Sequence, residues 1–303
     1  MSAQLALIAD CAVRAVPLIL TGLAVALAFR SGVFNLGAEG QFLVGAAAGT
    51  ATSLKLTAFP GVITLVLALI AGAIAGAAWA SIAAELKRRY HVLEIISTIM
   101  LNFVALYLVS FLVRGPLQEP THIYPQTPSL AEADRLPVIL PGTRLHAGIL
   151  IAVAVAIVLY WIFRETAAGF RIRATGAGSR AAESAGMVDV SRLSWKVFLW
   201  SGAIAGLAGA IEVSGVTYAL YENISPGYGY TAIAVALIAG LNPLGVIASG
   251  LFFGALETGA SALQRDFSIP SSIAGMTEAL LILAALAFTG VRRHLLGFAG
   301  GER

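Results

Sequence analysis

Long apolar runs, interrupted by glycines and by short charged loops, dominate the pattern along this chain. A helix that crosses a bilayer core needs about 20 mostly apolar residues. Segments of roughly that kind are 12–30, 39–56, 59–84, 93–113, 146–163, 194–216, 229–241, 244–263 and 274–290. The pattern therefore predicts an all-α polytopic membrane protein of about nine transmembrane helices, within a range of about 8–10, forming one transmembrane domain over residues 1–303. The segment 229–241 is short, which is typical of half a broken helix.

The composition is typical of a membrane protein. Hydrophobic residues make up 58% of the chain and charged residues 12%, whereas soluble domains carry about 25% charged residues. The 32 glycines suit helices that pack backbone to backbone in lipid. A net charge of +3, spread over short loops, does not indicate nucleic-acid binding. The single cysteine, Cys11, excludes an internal disulfide and a multi-cysteine metal site, and no cofactor is expected.

Lysine and arginine concentrate in alternate loops, which sets the predicted orientation. Cytoplasmic loops carry the excess of these residues, and a basic segment at 164–196 is the largest concentration here. We therefore expect 164–196 and the C-terminus in the cytoplasm and the short N-terminus outside. The largest external segment, 114–145, holds six of the eleven prolines, so we expect an irregular cap. Two interpretations of this cap remain open, a docking surface for an extracytoplasmic partner and a passive connector.

The first intramembrane polar cluster is SGVFNLGAEGQ, from Ser31 to Gln41, which contains Asn35, Glu39 and three glycines. Such a run cannot continue a lipid-facing helix, because irregular backbone at membrane depth is tolerated only inside protein or beside a cavity. We interpret it as a broken-helix element, with Asn35, Glu39 and Gln41 as candidate residues of a transport pathway. An interfacial turn between two helices is the alternative.

The second cluster lies on one face of a predicted helix. Glu94, Ser97, Thr98 and Asn102 follow the spacing of neighbours on a helical face. A polar stripe on an apolar helix faces a partner helix or water rather than lipid. Glu94, Thr98 and Asn102 are therefore further pathway candidates, although Glu94 lies near the cytoplasmic end, where snorkelling explains it equally well.

The third cluster is spread over the last helices. Glu212 and Glu257 lie inside apolar runs, where a charged carboxylate costs about 2.5–3.5 kcal/mol on insertion scales. They are candidates for substrate contact, and hydrogen-bonded structural groups are the alternative. AGLNPLG, which contains Asn242, is a second Asn/Gly/Pro interruption. A pair of broken segments is a pointer to a transport site, so Asn242 completes the candidate set.

The basic segment 164–196 contains a predicted amphipathic helix at about 179–186. Gly176 and Gly178 loosen the chain before it, Ser179 is suited to cap its N-terminus, and Gly186 is suited to end it. Small residues such as Ala182 would allow this helix to enter a groove on another protein, while the charges would fix its register. The candidate coupling residues are Gly176, Ser179, Arg180, Ala182, Glu183 and Gly186.

A family resemblance rests on four stretches, PLILTGLAVALAFRSGVFNLGAEGQFLVG, LEIISTIMLNFVALYLVSFLVRGPLQEP, ATGAGSRAAESAGM and GYTAIAVALIAGLNPLG. They resemble permease subunits of bacterial ATP-binding cassette (ABC) importers of the branched-chain amino acid/ribose-type superfamily, and within it the nucleoside (simple sugar-like) permeases. The resemblance covers nearly the whole chain and implies the fold of these permeases. It makes ATGAGSRAAESAGM the coupling helix that docks on the ATPase, and it places the segment around Asn35 and Glu39 near the translocation pathway. Gly178 stands where relatives often have Asn.

The resemblance also implies the assembly. It predicts a permease subunit in the bacterial inner membrane that imports nucleosides or related simple sugars, together with ABC ATPase subunits, a second homologous permease and an extracytoplasmic substrate-binding lipoprotein. None of the three lysines ends a G-x-x-x-x-G-K-[ST] loop, so ATP hydrolysis is expected on a partner and this subunit is not expected to be an enzyme. An ion-coupled secondary transporter that uses Glu94, Glu212 and Glu257 is the rival hypothesis.

Overall fold

The computed structural model describes residues 3–186 and 188–267, together with 276, 279–280 and 283–284, and this part of the chain is helical without named strands. The helices are α1 (Ala3–Arg30), α2 (Ala38–Lys55), α3 (Gly61–Tyr90), α4 (Glu94–Arg114), α5 (Gly148–Glu165), α6 (Ala167–Ala177), α7 (Ser179–Ser184), α8 (Val190–Glu212), α9 (Tyr228–Ile238) and α10 (Pro243–Phe267). A 3₁₀ turn, Glu132–Asp134, lies in the long segment before α5, and a π-helical turn, Val213–Thr217, extends α8.

Six of the described helices, α1, α3, α4, α5, α8 and α10, are long and apolar enough to cross a membrane. The expectation of about nine is therefore not confirmed among the described residues. α2 is not one of the six, and α9 has only 11 residues, as the short segment 229–241 predicted. The predicted segment 274–290 lies outside the described residues except at the few positions given above.

Burial separates a central group of helices from an outer one. In α1 and α8 the most apolar window is 83% and 78% buried, whereas in α3, α4 and α5 it is 28% buried. The outer helices expose large apolar side chains such as Val62, Tyr107 and Leu150. An apolar surface this wide is unfavourable in water, so these faces are suited to lipid. Helices α1, α2 and α8 form the interior of the bundle.

Glycines allow α2, α3 and α8 to approach at backbone distance. A Cβ atom at Gly206 would collide with the carbonyl oxygen of Gly72, and one at Gly45 would collide with the backbone of Gly206. A Cβ at Gly202 would lie 2.5 Å from the Gly76 carbonyl oxygen. The Gly202-x-x-x-Gly206 spacing on α8 thus forms a close helix contact with α3, and Gly250-x-x-x-Gly254 on α10 forms one with α1.

The basic segment 164–196 folds as two short helices joined at a sharp bend. Thr166 caps α6 by accepting a hydrogen bond from the Gly169 N–H at 3.1 Å. Gly176 lies inside α6 and packs against the Arg30 carbonyl, so the expectation that it loosens the chain is wrong. Gly178, and not Ser179, is the N-cap of α7, because its extended backbone precedes the first turn and no side chain caps that turn.

The end of α7 follows the prediction more closely. Gly186 has a φ of 67°, a left-handed conformation that glycine adopts at little cost, and it follows the last helical turn. The predicted stop at Gly186 is confirmed, although the helix itself ends at Ser184.

Replacing Gly206 with alanine is expected to destabilise the bundle by about 1–3 kcal/mol, because the new methyl group has backbone on two sides and cannot be accommodated by a rotamer change. Gly259→Ala is the matched control: a Cβ there meets nothing within 4 Å, and alanine favours a helix over glycine by about 1 kcal/mol. Thermal unfolding of the purified protein in detergent measures both. Equal melting temperatures for the two variants would contradict this packing.

His146 provides a pH-dependent contribution to stability just before α5, outside the spanning helices. Burial, followed by the charge of Arg144, lowers the pKa of His146 to about 4, below the usual value of about 6.5. Its Nδ1 accepts a hydrogen bond from the Gly148 N–H at 3.1 Å. Because the unfolded chain binds this proton more readily, stability is complete above pH 6.5 and falls as the pH drops toward 4.

We expect His146→Asn to flatten the fall in melting temperature between pH 7 and pH 5, since asparagine does not titrate there. His122→Asn, at an exposed histidine, should keep the pH profile of the original protein. Parallel profiles for the His146 variant and the original protein would show that this ring does not carry the dependence.

Candidate functional site

The interruption between α1 and α2 has most of its residues inside the bundle, whereas Gly32 and Phe34 are exposed. Asn35 and Gln41, both buried, pair through their amide groups: Asn35 Nδ2 donates to Gln41 Oε1 at 3.0 Å, and Gln41 Nε2 donates to Asn35 Oδ1 at 3.1 Å. Asn35 Nδ2 also donates to Ser201 Oγ at 2.9 Å, and the Ser201 hydroxyl donates to the Ala24 carbonyl at 2.7 Å. These bonds join the irregular segment 31–37 to α8 and α1.

Asn102 fastens the same segment to α4. Its Oδ1 accepts from the Gly40 N–H at 2.8 Å, and its Nδ2 donates to the Leu36 carbonyl at 2.9 Å and to the Tyr230 hydroxyl at 3.3 Å. The Asn102 side chain is buried. Both of its polar atoms are used within the protein.

Glu39 connects α2 to the start of the half-length helix α9. Its Oε2 accepts from the Gly229 N–H at 2.7 Å. A carboxylate near a helix N-terminus complements the positive end of the helix dipole and satisfies an N–H that lacks an intrahelical partner. We call Asn35, Glu39, Gln41, Asn102 and Ser201 the polar knot.

Glu94 and Thr98 lie below the polar knot, toward the end of the molecule that carries 164–196. Glu94 forms an ion pair with Lys87 and accepts the Phe34 N–H at 3.0 Å. The Thr98 hydroxyl donates to the Glu94 carbonyl at 2.6 Å. The predicted polar stripe therefore faces other helices, and its groups are engaged in structural contacts.

The opposite end of the molecule contains a cavity of about 670 Å³. Its wall combines the start of α1, the end of α8, the segment before α9 and the end of α10. The lining includes aromatic, carboxylate, guanidinium and amide or hydroxyl groups, namely Asp10, Arg14, Arg144, Glu212, Thr217, Tyr221, Asn223, Tyr228, Thr258, Ser261 and Arg265. We call it the outer cavity. Pockets that bind small molecules measure about 300–1,000 Å³, so the volume suits a small polar solute.

Glu212 is buried at the base of the outer cavity, at the residue where α8 changes from α-helix to π-helix. Inserted π-helical turns often occur at functional sites. Glu257 lies on α10 with an oxygen 4.0 Å from Arg14 Nη1. The two glutamates predicted as a third cluster therefore approach the same cavity, whereas Asn242 lies at the opposite end, where its Oδ1 accepts the Leu244 N–H at 3.1 Å.

The segment 114–147 holds the residues of the outer cavity in place. Its backbone pairs with the segment after α8, with Leu130 N–H donating to the Tyr218 carbonyl at 2.7 Å and Leu136 N–H donating to the Ser214 carbonyl at 2.9 Å. The Arg135 guanidinium lies 4.4 Å from the centre of the Tyr218 ring. This cap is irregular, as predicted. Its hydrogen bonds to the segment after α8 give it a defined conformation, unlike that of a flexible connector.

An ion pair at the other edge of the cap joins the end of α4 to the loop before α9. Arg114 binds Glu222 through two bonds, at 2.6 and 2.8 Å, and these with Ser110 lower the pKa of Glu222, in the loop before α9, to about 2. Glu222 directly follows Tyr221, whose ring lines the outer cavity. The pair therefore fixes the position of that ring relative to α4.

The short helix α7 projects from the end of the molecule opposite the outer cavity. Ala182 is buried, so it packs inward and is not available to a partner, contrary to its predicted role. Ser179, Arg180 and Glu183 are exposed. A groove of about 500 Å³ lies beside α7 and is lined by residues from α3, α4, α7 and α8, among them Lys87, His91, Glu183 and Trp195.

Sequence reasoning missed the residues of the outer cavity other than the glutamates. Tyr221 and Tyr228 come from YENISPGYGY, a Gly/Pro/Asn-rich stretch between two helices, which is the composition of an interruption before a half helix. The sequence therefore contained a signal for this part of the cavity. The π-helical turn left no such signal, because VSGVT has no feature that distinguishes it from an α-helix.

The sequence of this chain matches one described family and several known proteins. The family described as branched-chain amino acid transport system / permease component matches residues 7–287. The glucose ABC transporter permease protein TsgB13 of Haloferax volcanii is 39% identical over 301 residues, covering 96% of this chain and 79% of that protein. The guanosine ABC transporter permease protein NupP of Bacillus subtilis is 39% identical over 282 residues, covering 91% and 80%.

A second Bacillus subtilis protein, the guanosine ABC transporter permease protein NupQ, is 30% identical over 288 residues, covering 92% of this chain and 89% of that protein. No solved structure matches the chain significantly. On the extent of the family match and of these relatives, the chain belongs to the branched-chain amino acid transport system permease family.

Proposed function

We propose that this chain is the permease subunit of an ABC importer that carries nucleosides across the bacterial cytoplasmic membrane, and that ATP is hydrolysed on a separate subunit. The observation that carries the proposal is the family match over residues 7–287, together with relatives at 39% identity that are named ABC transporter permeases. The outer cavity then receives the cargo, and the end with α6 and α7 receives the ATPase. A membrane topology of about nine spans, made up of the six long helices, α2, α9 and the segment 274–290, belongs to this proposal.

The lining of the outer cavity supports a neutral cargo with both a flat ring and hydroxyl groups. Tyr221 and Tyr228 offer aromatic faces, while Glu212 and Asn223 offer hydrogen-bonding atoms. Carboxylates and guanidinium groups occur together on the wall, so the cavity has no single sign of charge that would select an ion. A nucleoside has this combination of groups. A hexose is the second candidate, favoured by the similarity to the glucose permease TsgB13.

The polar knot supports a route by which motion of α6 and α7 reaches the outer cavity. Gly176 packs against the last residue of α1, Arg30, directly before the segment 31–37. Asn35 ties that segment to α8, and Glu39 binds the N-terminus of α9. Tyr228, the first residue of α9, lines the outer cavity. A displacement of α6 by an ATPase would thus be transmitted through three packed elements to the cargo site and open it alternately to the two sides.

The partners follow from the two ends of the molecule. Exposed Arg180 and Glu183 on α7 support docking of an ATPase subunit, with Gly176, Ser179, Ala182 and Gly186 shaping the helices behind them. The ordered cap 114–147 supports docking of an extracytoplasmic binding lipoprotein. Two guanosine permease proteins of one organism, NupP and NupQ, both resemble this chain, which favours a second, homologous permease and hence a heterodimer.

The ion pairs of two of the three glutamates, Glu94 and Glu257, disfavour an ion-coupled carrier. Glu94 is paired with Lys87, and Glu257 lies beside Arg14, so neither offers an uncompensated carboxylate for a coupling ion. Proteoliposomes that contain the permeases without an ATPase test the rival directly. Uptake driven by an ion gradient in such vesicles would replace the ABC assignment.

A charge placed on the exposed face of α7 is expected to uncouple transport. Ala181→Glu puts a carboxylate at an exposed position, so it should leave the melting temperature unchanged while reducing ATP-driven nucleoside uptake at least about tenfold, since a like charge or an unpaired charge in an interface costs several kcal/mol. The matched control is Ala168→Glu, at an exposed alanine in the first turn of α6.

Uptake and substrate-stimulated ATPase activity of the complete complex, measured in proteoliposomes, decide the outcome. Normal uptake by the Ala181 variant would refute the docking of an ATPase on α7. Ala182→Glu is unsuitable for this purpose, because Ala182 is buried and its loss would report on packing.

Removal of the Tyr221 ring tests the cargo site. Stacking of a base on an aromatic side chain contributes about 1–3 kcal/mol, so Tyr221→Ala should lower guanosine uptake about tenfold or more. Tyr107→Ala, at a tyrosine that is 71% exposed on α4, should leave uptake unchanged. Uptake of radiolabelled guanosine, with glucose as the competing cargo, is the measurement. Transport of glucose but not guanosine by the original complex would select the second candidate.

A further inference from the structure

A second cavity, of about 440 Å³, lies at the end of the molecule that carries the basic segment 164–196. It is formed where α1 and α5 end, where α6 passes beneath them, and where α9 turns into α10. Three arginines line it, Arg30, Arg164 and Arg173, together with Tyr160 and the turn 239–243. None of the described residues that line it carries a carboxylate. We call it the arginine pocket.

Two of these arginines have no counter-ion among the residues that the structure describes. Within the part of the chain that the structure describes, neither Arg30 nor Arg173 forms an ion pair or a side-chain hydrogen bond, although both are partly buried. Guanidinium groups that are withdrawn from water without a partner are costly, and they are normally paired. Their convergence on one cavity therefore points to an anion that is supplied from outside the chain.

The third arginine is positioned by its neighbours at the edge of the cavity. Arg164 Nη1 donates to the Tyr160 hydroxyl at 2.8 Å, and its Nε lies 3.1 Å from Glu165 Oε1. The turn that completes the wall leads into α10, a helix of 25 residues whose N-terminal end faces the cavity. The positive end of the dipole of α10 adds to the potential of the arginines.

The mouth of the arginine pocket borders a surface suited to lipid. On α5, the helix that carries Tyr160 and Arg164, the side chains of Ile157, Val158 and Trp161 are more than half exposed. Leu244, next to the turn on α10, is also exposed. An arginine-lined cavity at the end of apolar membrane helices lies at the depth of lipid headgroups.

We propose that the arginine pocket binds the phosphate of an anionic phospholipid headgroup from the leaflet predicted to be cytoplasmic. Arginine matches a phosphate through paired N–H donors, and basic pockets between membrane helices on this side of a bilayer are suited to such headgroups. The phosphate would lie between Arg30 and Arg173, with Arg164 at the entrance, and the acyl chains would follow the apolar face of α5. This inference does not depend on the cargo or on the ATPase.

The test compares lipid binding by the full-length protein and its variants in detergent. Native mass spectrometry with added phosphatidylglycerol should show one tightly bound lipid per chain, and phosphatidylcholine should bind far more weakly. Arg30→Gln combined with Arg173→Gln should weaken phosphatidylglycerol binding about thirtyfold, since each basic group near an anionic surface contributes about 1 kcal/mol. Arg171→Gln is the matched control, because Arg171 is on the same helix, is exposed and does not line the pocket.

Two further measurements complete the test. Arg30→Lys combined with Arg173→Lys keeps the charge and should retain most of the binding, which separates a lost anion site from a misfolded protein. Inorganic phosphate at millimolar concentration should neither raise the melting temperature nor displace the lipid. Equal binding of phosphatidylglycerol and phosphatidylcholine by the original protein would overturn the proposal. Stabilisation by inorganic phosphate without any effect of phosphatidylglycerol would overturn the lipid as the source of the anion.

Discussion

The polar knot is the contact on which the rest of this structure depends. A chain that leaves the helical conformation inside a bilayer exposes N–H and C=O groups that lipid cannot satisfy, at a cost of several kcal/mol each. Asn35 and Asn102 provide missing partners between residues 31 and 41, Gln41 holds the Asn35 amide in place, and Glu39 binds a backbone N–H in the first turn of α9. These groups come from the segment 31–37, α2 and α4, and they bind α8 and α9, so the interruption is stable only when the whole bundle is assembled.

Close packing of small residues makes that assembly possible. Gly45 on α2, Gly72 and Gly76 on α3, and Gly206 on α8 bring the three backbones into direct contact, so that the polar groups of the knot come within hydrogen-bonding distance. The same architecture leaves two ends with different chemistry. One end has a cavity with aromatic and mixed polar lining beneath an ordered cap, and the other has basic helices, an arginine pocket and a groove beside α7.

The sequence predicted several residues of the candidate site, but it did not predict what those residues do. Asn35, Gln41 and Asn102 stood out because polar groups are rare in apolar segments, and the structure brings them together in the polar knot. Their hydrogen-bonding capacity is consumed within the protein, which a linear pattern cannot reveal. Glu212 differs from these three residues, because it lines the outer cavity. The prediction that Ser179 is the N-cap of α7 was wrong by one residue, because Gly178 takes the extended conformation that precedes the helix.

The sequence by itself determined that the protein is a helical membrane protein, where most of its helices run, which faces carry small residues, and which segment is basic. These features follow from local composition and from helical periodicity, so they require no knowledge of neighbours. Tertiary structure alone decided that Ala182 packs inward, that Asn242 lies far from Glu212, and that Arg30 and Arg173 meet at one pocket. Each of these depends on contacts between residues distant along the chain, which packing of whole helices establishes.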